Sequence, residues 1–189
     1  LVAEEGKYLP EIEKCDISSV KGSVIVKDFS KEKFKMNLKS NKVNVIKILP
    51  GGVVTAKDTA EIELDANGEF VRNPEVDLVK VAVVERHQGT GNVACGFLKG
   101  YGIKEGAVAL SVAHDSHNII VVGVNDEEME FAVNSLIEQE GGIVLVKEGK
   151  VIESMPMPIA GLMSDQSGEW VDQKLTDIHE KAYEELGIC

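Results

Sequence analysis

Apolar and polar residues alternate over much of the chain with the short period of half-buried strands. Between Ser23 and about Val71 the apolar positions are mostly β-branched and recur among polar ones, which predicts several short strands with polar outer faces. The run from Asp77 to Val84 is almost wholly apolar and predicts a strand in the middle of a sheet. Two more apolar strands are predicted at Gly106 to Ala113 and Ile119 to Val124, on either side of a polar loop.

Three short turns are indicated by an acidic residue or asparagine followed by glycine between two apolar runs. This pair is a strong hairpin signal, because glycine accepts the positive φ that a tight turn between paired strands requires. The pattern predicts hairpins within residues 1–10, 61–71 and 142–152.

Two helices are predicted in the second half of the chain. Asn125 and the three acidic residues after it predict an N-cap and a first turn, and Gly141 follows the last apolar position. A second helix is predicted to start after Ser164 and Asp165 and to stop at Gly187. Apolar residues at helical spacing follow each start: Met129, Ala132, Val133, Leu136 and Ile137, then Val171, Leu175, Ile178, Ala182 and Leu186.

The order of these elements indicates the fold class. Because strands come first and the main helices follow, the class is α+β. We expect a strand-rich domain of mixed or antiparallel pairing, with two main helices packed on the sheets and no barrel. Residues 1–10 are expected to end an upstream β-rich segment, 11–22 to form a linker and 23–189 to form the domain. The chain starts at Leu1 in the middle of a strand pattern, so we expect it to belong to a longer protein.

Composition and charge narrow the classes of function. With 43% hydrophobic and 28% charged residues, the chain is an ordinary globular one. Its 20 basic and 32 acidic residues leave a net charge of −12, which a phosphate backbone would repel, so no nucleic-acid partner is expected. No apolar run approaches the ~20 residues of a membrane span, so no membrane partner is expected either. Cys15, Cys95 and Cys189 are odd in number and far apart, which indicates reduced thiols in a cytoplasmic protein.

The first candidate site is Glu85, Arg86 and His87, directly after the predicted central strand. A carboxylate, a fork-shaped donor and an imidazole at one strand end suit the binding of a planar polar ligand or the transfer of a proton. The alternative is an ion pair that closes the end of the sheet.

The second candidate site is the polar loop from His114 to Asn118, between two apolar strands. Two imidazoles three residues apart, with Asp115 between them, suit metal ligation or acid–base catalysis on a heteroaromatic ring. The alternative is a solvated hairpin tip.

A third stretch, Met155 to Asp165, contains two prolines and a close-packing Ile-Ala-Gly-Leu-Met run. It either walls a pocket or connects elements of the core rigidly. The residue patterns of cytidine-type zinc deaminases and of phosphate-binding loops are both absent from the sequence. The residues by themselves therefore indicate a polar site at strand ends and leave open whether a metal assists it.

Several of these blocks resemble the C-terminal part of bacterial and archaeal adenine deaminases. The resemblance rests on Glu85-Arg86-His87, Gly100-Tyr101-Gly102, the run from Gly106 to Asn118, and the run from Pro158 to Ser164. It spans roughly Asp77 to the C-terminus and continues more weakly through the strands from Ser23. The resemblance implies that residues 23–189 form an adenine-deaminase-type C-terminal domain.

That resemblance implies hydrolysis of free adenine to hypoxanthine and ammonia, with a divalent metal, manganese or iron, in the full-length enzyme. The implied partner is an upstream amidohydrolase barrel of the same chain, since no His-x-His ligand pair occurs in this sequence. A homo-oligomer is left open. His114, Asp115 and His117 are the implied catalytic candidates. Substrate-binding candidates are Glu85, Arg86, His87 and Asn118, and no residue of this chain is assigned to a metal.

Two other functions compete with this one. The chain could serve as a structural or oligomerisation module, with the polar loop merely solvated. It could also be an independent metal- or ligand-binding domain with no catalytic role.

Overall fold

The computed structural model describes residues 2–10 and 15–188. It contains a mixed sheet of eight strands, two pairs of short strands and two helices. In chain order the strands are β1 (Ala3–Glu4), β2 (Lys7–Tyr8), β3 (Lys42–Ile48), β4 (Thr55–Glu61), β5 (Glu63–Leu64), β6 (Phe70–Val71), β7 (Leu78–Val84), β8 (Val93–Lys99), β9 (Ala107–Leu110), β10 (Ile119–Gly123), β11 (Gly142–Lys147) and β12 (Lys150–Pro156). The helices are α1 (Asp126–Glu138) and α2 (Gly168–Glu184).

The large sheet has the strand order β12-β11-β9-β10-β7-β8-β3-β4. Every neighbouring pair is antiparallel except β3 and β8, which run parallel. Among the described residues the edge strands β12 and β4 do not pair, so the sheet is open and does not close into a barrel. The predicted α+β class with mixed pairing and two main helices is confirmed.

The three predicted hairpins all form. The pairs β1–β2, β5–β6 and β11–β12 are antiparallel and joined by tight turns. Gly6, Gly68 and Gly149 have φ values of 75°, 78° and 66°, which explains why glycine stands at each turn.

Strand β7 lies inside the sheet, between β10 and β8, as its apolar run predicted. Its side chains alternate between two cores. Ala82 and Val84 belong to the apolar cluster that contains the buried face of α1. Val79 and Val81 belong to the cluster that contains Ile178 of α2. Five of the seven residues of β7 are buried and only Val83 is exposed, which is why almost every position of the strand is apolar.

The helices begin at side-chain caps. The Asn125 side chain accepts a hydrogen bond from the Glu128 N–H at 2.8 Å, so the predicted start of α1 is confirmed. Helix α2 begins after Ser164 and Asp165, as predicted, and its cap is Ser167, whose side chain accepts from the Trp170 N–H at 3.3 Å. Asp165 lies before the cap and pairs with Lys21 at 3.2 Å. Within the described part of the chain, no helix is both long and apolar enough to cross a membrane.

The prediction of strands was wrong between residues 23 and 37. This stretch is irregular except for a short 3-10 turn at Lys31–Phe34. Several of its apolar residues are nevertheless covered: Phe34 is fully buried, and Val24 and Val26 pack against the core beside α1, whereas Ile25 is exposed. These covered residues pack on the core without forming a strand of the sheet.

The N-terminal stretch is described in part. Leu1, Cys189 and residues 11–14 of the predicted linker lie outside the described residues. Further along that linker, the Val20 carbonyl accepts a hydrogen bond from the Ala160 N–H at 2.8 Å. The chain therefore passes beside the segment from Pro158 to Met163 before it enters the sheet.

Candidate functional site

The first two predicted clusters meet at one end of the sheet. Val84, the last residue of β7, pairs with Ile119, the first residue of β10. Residues 85–87, which follow β7, therefore lie beside residues 114–118, which precede β10. We call residues 114–118 the histidine loop and residues 85–87 the β7 end.

The tip of the histidine loop projects into solvent. The side chains of His114 and Asp115 are each 86% exposed, and His114 Nδ1 contacts the Asp115 carboxylate. The rings of His114 and His117 lie edge to face, with centroids 5.9 Å apart and an interplanar angle of 82°. The loop thus brings two imidazoles and a carboxylate together in one group.

His117 anchors the other end of this group. Its N–H donates to the Ala113 carbonyl at 2.6 Å, and its φ is 51°, a left-handed conformation that few non-glycine residues adopt. Its Nδ1 atom is buried and has no hydrogen-bond partner among the described residues. A buried nitrogen without a partner is costly, so a further group is expected to complete its bonding.

Arg86 lies beneath the loop and is only 1% exposed. Its Nε donates to the His117 carbonyl at 2.5 Å and its Nη2 donates to the Ala160 carbonyl at 3.1 Å. The Arg86 N–H donates to the Asn118 side-chain oxygen at 3.4 Å. Burial lowers the pKa of the Arg86 guanidinium. Arg86 thus binds the histidine loop, and Asn118 of that loop binds the β7 end, while the predicted contact of both with a substrate stays a prediction.

Glu85 and His87 hold the neighbouring backbone. The Glu85 carboxylate accepts hydrogen bonds from the N–H groups of Thr90 at 2.9 Å, Gln88 at 2.7 Å and His87 at 2.5 Å. These bonds, that from Thr90 above all, lower the pKa of Glu85 to about 2. His87 Nε2 lies 2.9 Å from the Ser116 carbonyl, to which it donates. Glu85 therefore orders residues 87–90, while His87 adds a second contact beside Arg86 between the β7 end and the histidine loop.

Glu85→Gln is expected to loosen residues 87–90. The amide oxygen of glutamine is uncharged, so we expect hydrogen exchange of these N–H groups to rise about tenfold. In the wild-type chain the carboxylate's contribution is complete above its ordinary pKa near 4.5, and it is lost as the pH falls toward 2. An NMR titration of the Glu85 carboxyl carbon checks this directly. A midpoint near 4.5 would show that these bonds are absent. The control for the exchange measurement is Glu180→Gln, since Glu180 is exposed on α2.

The segment from Pro158 to Met163 joins the site from a third direction. It folds back on itself, with the Ile159 N–H donating to the Met163 carbonyl at 3.1 Å. Ser111 is fully buried, donates to the Gly161 carbonyl at 2.6 Å and accepts from the Gly142 N–H at 2.7 Å. Sequence reasoning did not single out Ser111, although a hydroxyl within an apolar run was a usable signal. The segment acts here as a connector between the loop and strand β11.

The described residues do not offer a metal centre. Nowhere in residues 2–10 and 15–188 do three or more His, Cys, Asp or Glu side chains converge as metal ligands. The two imidazoles and the carboxylate of the histidine loop do not meet that condition. Cys15 and Cys95 are free thiols, and Cys189 lies outside the described residues. The divalent metal expected for the full-length enzyme does not fit this donor set.

A large cleft lies elsewhere, beside the first turn of α1, and encloses about 520 Å³. Its charged side chains largely neutralise one another: Lys80 contacts Asp126 at 2.7 Å and Lys31 contacts Glu127 at 2.8 Å. None of the predicted site residues lines it. We assign no function to this cleft, because most of its charged side chains pair with one another.

The chain is similar to known proteins over the region that contains the β7 end and the histidine loop. The family model for the adenine deaminase C-terminal domain matches residues 52–189. Over 188 residues the chain is 63% identical to adenine deaminase 2 of Desulfotalea psychrophila, covering all of this chain and 33% of that protein. It is 45% identical to adenine deaminase of Bacillus subtilis over 153 residues, which are 80% of this chain and 26% of that protein.

The chain spans about a third or less of the length of the curated relatives it matches. Adenine deaminase of Methanococcoides burtonii is 42% identical over 151 residues, which are 80% of this chain and 26% of that protein. The family model covers both the β7 end and the histidine loop. The chain therefore belongs to the adenine deaminase C-terminal domain family.

Proposed function

We propose that this chain is the C-terminal domain of an adenine deaminase and that its histidine loop forms part of the rim of the active site. The overall reaction adds water to adenine and releases hypoxanthine and ammonia. The observation that carries the proposal is the group of exposed His114 and Asp115 and half-buried His117, held on a buried arginine, in a chain of this family. A solvated turn would need neither the imidazoles nor such an anchor.

The chemistry of the loop suits this reaction. Replacing the amino group of a purine ring by oxygen requires a proton to reach the departing nitrogen and another to leave the attacking water. An imidazole changes its charge near neutral pH and can perform either transfer. Asp115, in contact with His114 Nδ1, would fix the tautomer that carries the proton on Nδ1 and so leave Nε2 free to accept one. His117 Nδ1, buried without a partner among the described residues, is the group that a substrate or a neighbouring domain would satisfy.

The rest of the machinery is proposed to lie upstream. The relatives are about three times as long as this chain, which leaves room for an amidohydrolase barrel before it. We assign the divalent metal, manganese or iron, to that part, because the described residues of this chain offer no suitable set of ligands. Free adenine suits the net charge of −12 better than a base within a nucleic acid.

The proposal predicts that the full-length protein converts adenine to hypoxanthine and that this 189-residue chain alone does not. Both are assayed by the absorbance change of the purine and by release of ammonia, with manganese or iron present. Rapid turnover by the chain alone would place the metal and the chemistry within it and overturn the proposal. Calorimetric titration of the chain with manganese, iron and zinc separates an independent metal-binding domain, which would bind one of them tightly.

A further inference from the structure

Arg86 is a buried cation without an acidic partner. It is 1% exposed, and no ion pair among the described residues includes it. Taking a guanidinium out of water without a carboxylate beside it is unfavourable, and an apolar side chain would fill the same space without that cost. The presence of an arginine at this buried position therefore needs an explanation other than the stability of the core.

The bonds of Arg86 supply that reason. Its Nε and Nη2 reach the carbonyls of His117 and Ala160, which are 31 and 74 residues away in sequence. A planar fork with donors in fixed directions can hold two separate backbone carbonyls in one relative position. One of these carbonyls belongs to the same residue whose imidazole enters the proposed site.

Gly161 allows the backbone to lie against the Arg86 guanidinium. A Cβ atom at Gly161 would lie 2.6 Å from Arg86 Nη1 and 2.9 Å from its Cζ, and the φ of Gly161 is 69°. The backbone thus runs so close to the guanidinium that only glycine fits at this position. Arg86 is enclosed by the two segments that it binds.

We propose that Arg86 is a positioning residue for the reaction: it fixes the histidine loop against the segment from Pro158 to Met163, so that His114 and His117 face the reacting base. This inference rests on the proposed function, because it assigns to Arg86 the placement of the groups that transfer protons. Misplacing a catalytic group by about 1 Å costs up to roughly 100-fold in rate, so such an anchor is expected to act on kcat.

The test uses the full-length protein with Arg86→Ala and Arg86→Lys. We expect kcat for adenine to fall roughly 10- to 100-fold in both variants, with a smaller change in KM. Lysine keeps the charge but brings one ammonium, which cannot hold both carbonyls. Guanidinium ion added far below denaturing concentrations is expected to restore part of kcat in Arg86→Ala. The matched control is Arg72→Ala, since Arg72 also donates to a backbone carbonyl, that of Ile103 at 3.1 Å, but touches neither segment.

A double variant separates positioning from a general loss of stability. If Arg86 acts through the histidine loop, adding His117→Ala to Arg86→Ala lowers kcat little further, whereas independent roles give multiplied losses. Hydrogen exchange of residues 112–118 and 159–163 is expected to rise in both Arg86 variants. Multiplied losses, wild-type kcat in Arg86→Lys, or unchanged exchange would overturn the inference. A wild-type protein without activity on adenine would instead refute the proposed function, and the exchange measurement would still decide the role of Arg86.

Discussion

Replacing His114 and His117 together by alanine in the full-length protein is expected to lower kcat/KM for adenine by roughly 10²- to 10⁴-fold, the usual range for loss of a proton-transfer group. The two rings lie edge to face on one exposed loop, so either could partly replace the other in a single variant. The double variant removes both. Because His114 is 86% exposed and His117 is held mainly through its backbone, the fold is expected to survive.

His179→Ala is the matched control for this change. His179 is exposed on α2, outside both clusters, and its loss is expected to leave kcat/KM unchanged. Steady-state kinetics and circular dichroism are measured for the wild type, the double variant and His179→Ala. A folded double variant within about a factor of two of wild type would show that the loop transfers no proton in the reaction. That outcome would favour the structural module.

Gly142→Ala is expected to have the largest effect on stability. Gly142 has φ 109°, and an added Cβ would lie 1.9 Å from the Met155 carbonyl oxygen and 2.9 Å from the Met157 nitrogen. Both neighbours are backbone atoms that cannot turn aside, and the Gly142 N–H also donates to Ser111. We expect the free energy of unfolding to fall by at least about 3 kcal/mol, measured by urea denaturation.

Gly168→Ala is the control for that substitution. Gly168 lies at the start of α2, no atom would approach its Cβ within 4 Å, and its φ is not positive. Alanine there is expected to be neutral or to stabilise by up to about 1 kcal/mol. Equal unfolding midpoints for the two variants would mean that β11 and β12 do not approach each other at Gly142 as described.

The elements with local signals could be predicted from the sequence. The three glycine turns, the Asn125 cap and the continuous apolar run of β7 each depend on neighbouring residues, so the pattern was sufficient. Strand β8 was missed, because it contains Gly96 and Cys95 and follows a loop rich in glycine. Its place next to β7 comes from the pairing of the whole sheet, which no local pattern records.

The candidate site could be predicted only as two separate clusters. Each was recognised as polar residues at a strand end, but their meeting depends on the pairing of Val84 with Ile119. The burial of Arg86 could not be predicted from the sequence either, because it depends on the later segment around Gly161, which packs against the guanidinium. An arginine beside a carboxylate and an imidazole resembles a surface group in sequence and becomes an internal anchor only in the fold.

The measurement that bears most directly on the proposed role of this chain is a crystal structure of the full-length protein with bound hypoxanthine. We expect His114 or His117 to lie within about 3 Å of the purine or to reach it through one water, the distance that proton transfer requires. We also expect His117 Nδ1 to have a hydrogen-bond partner there. A purine more than ~10 Å from both imidazoles, with the histidine loop in solvent, would contradict a role for this loop in the active site.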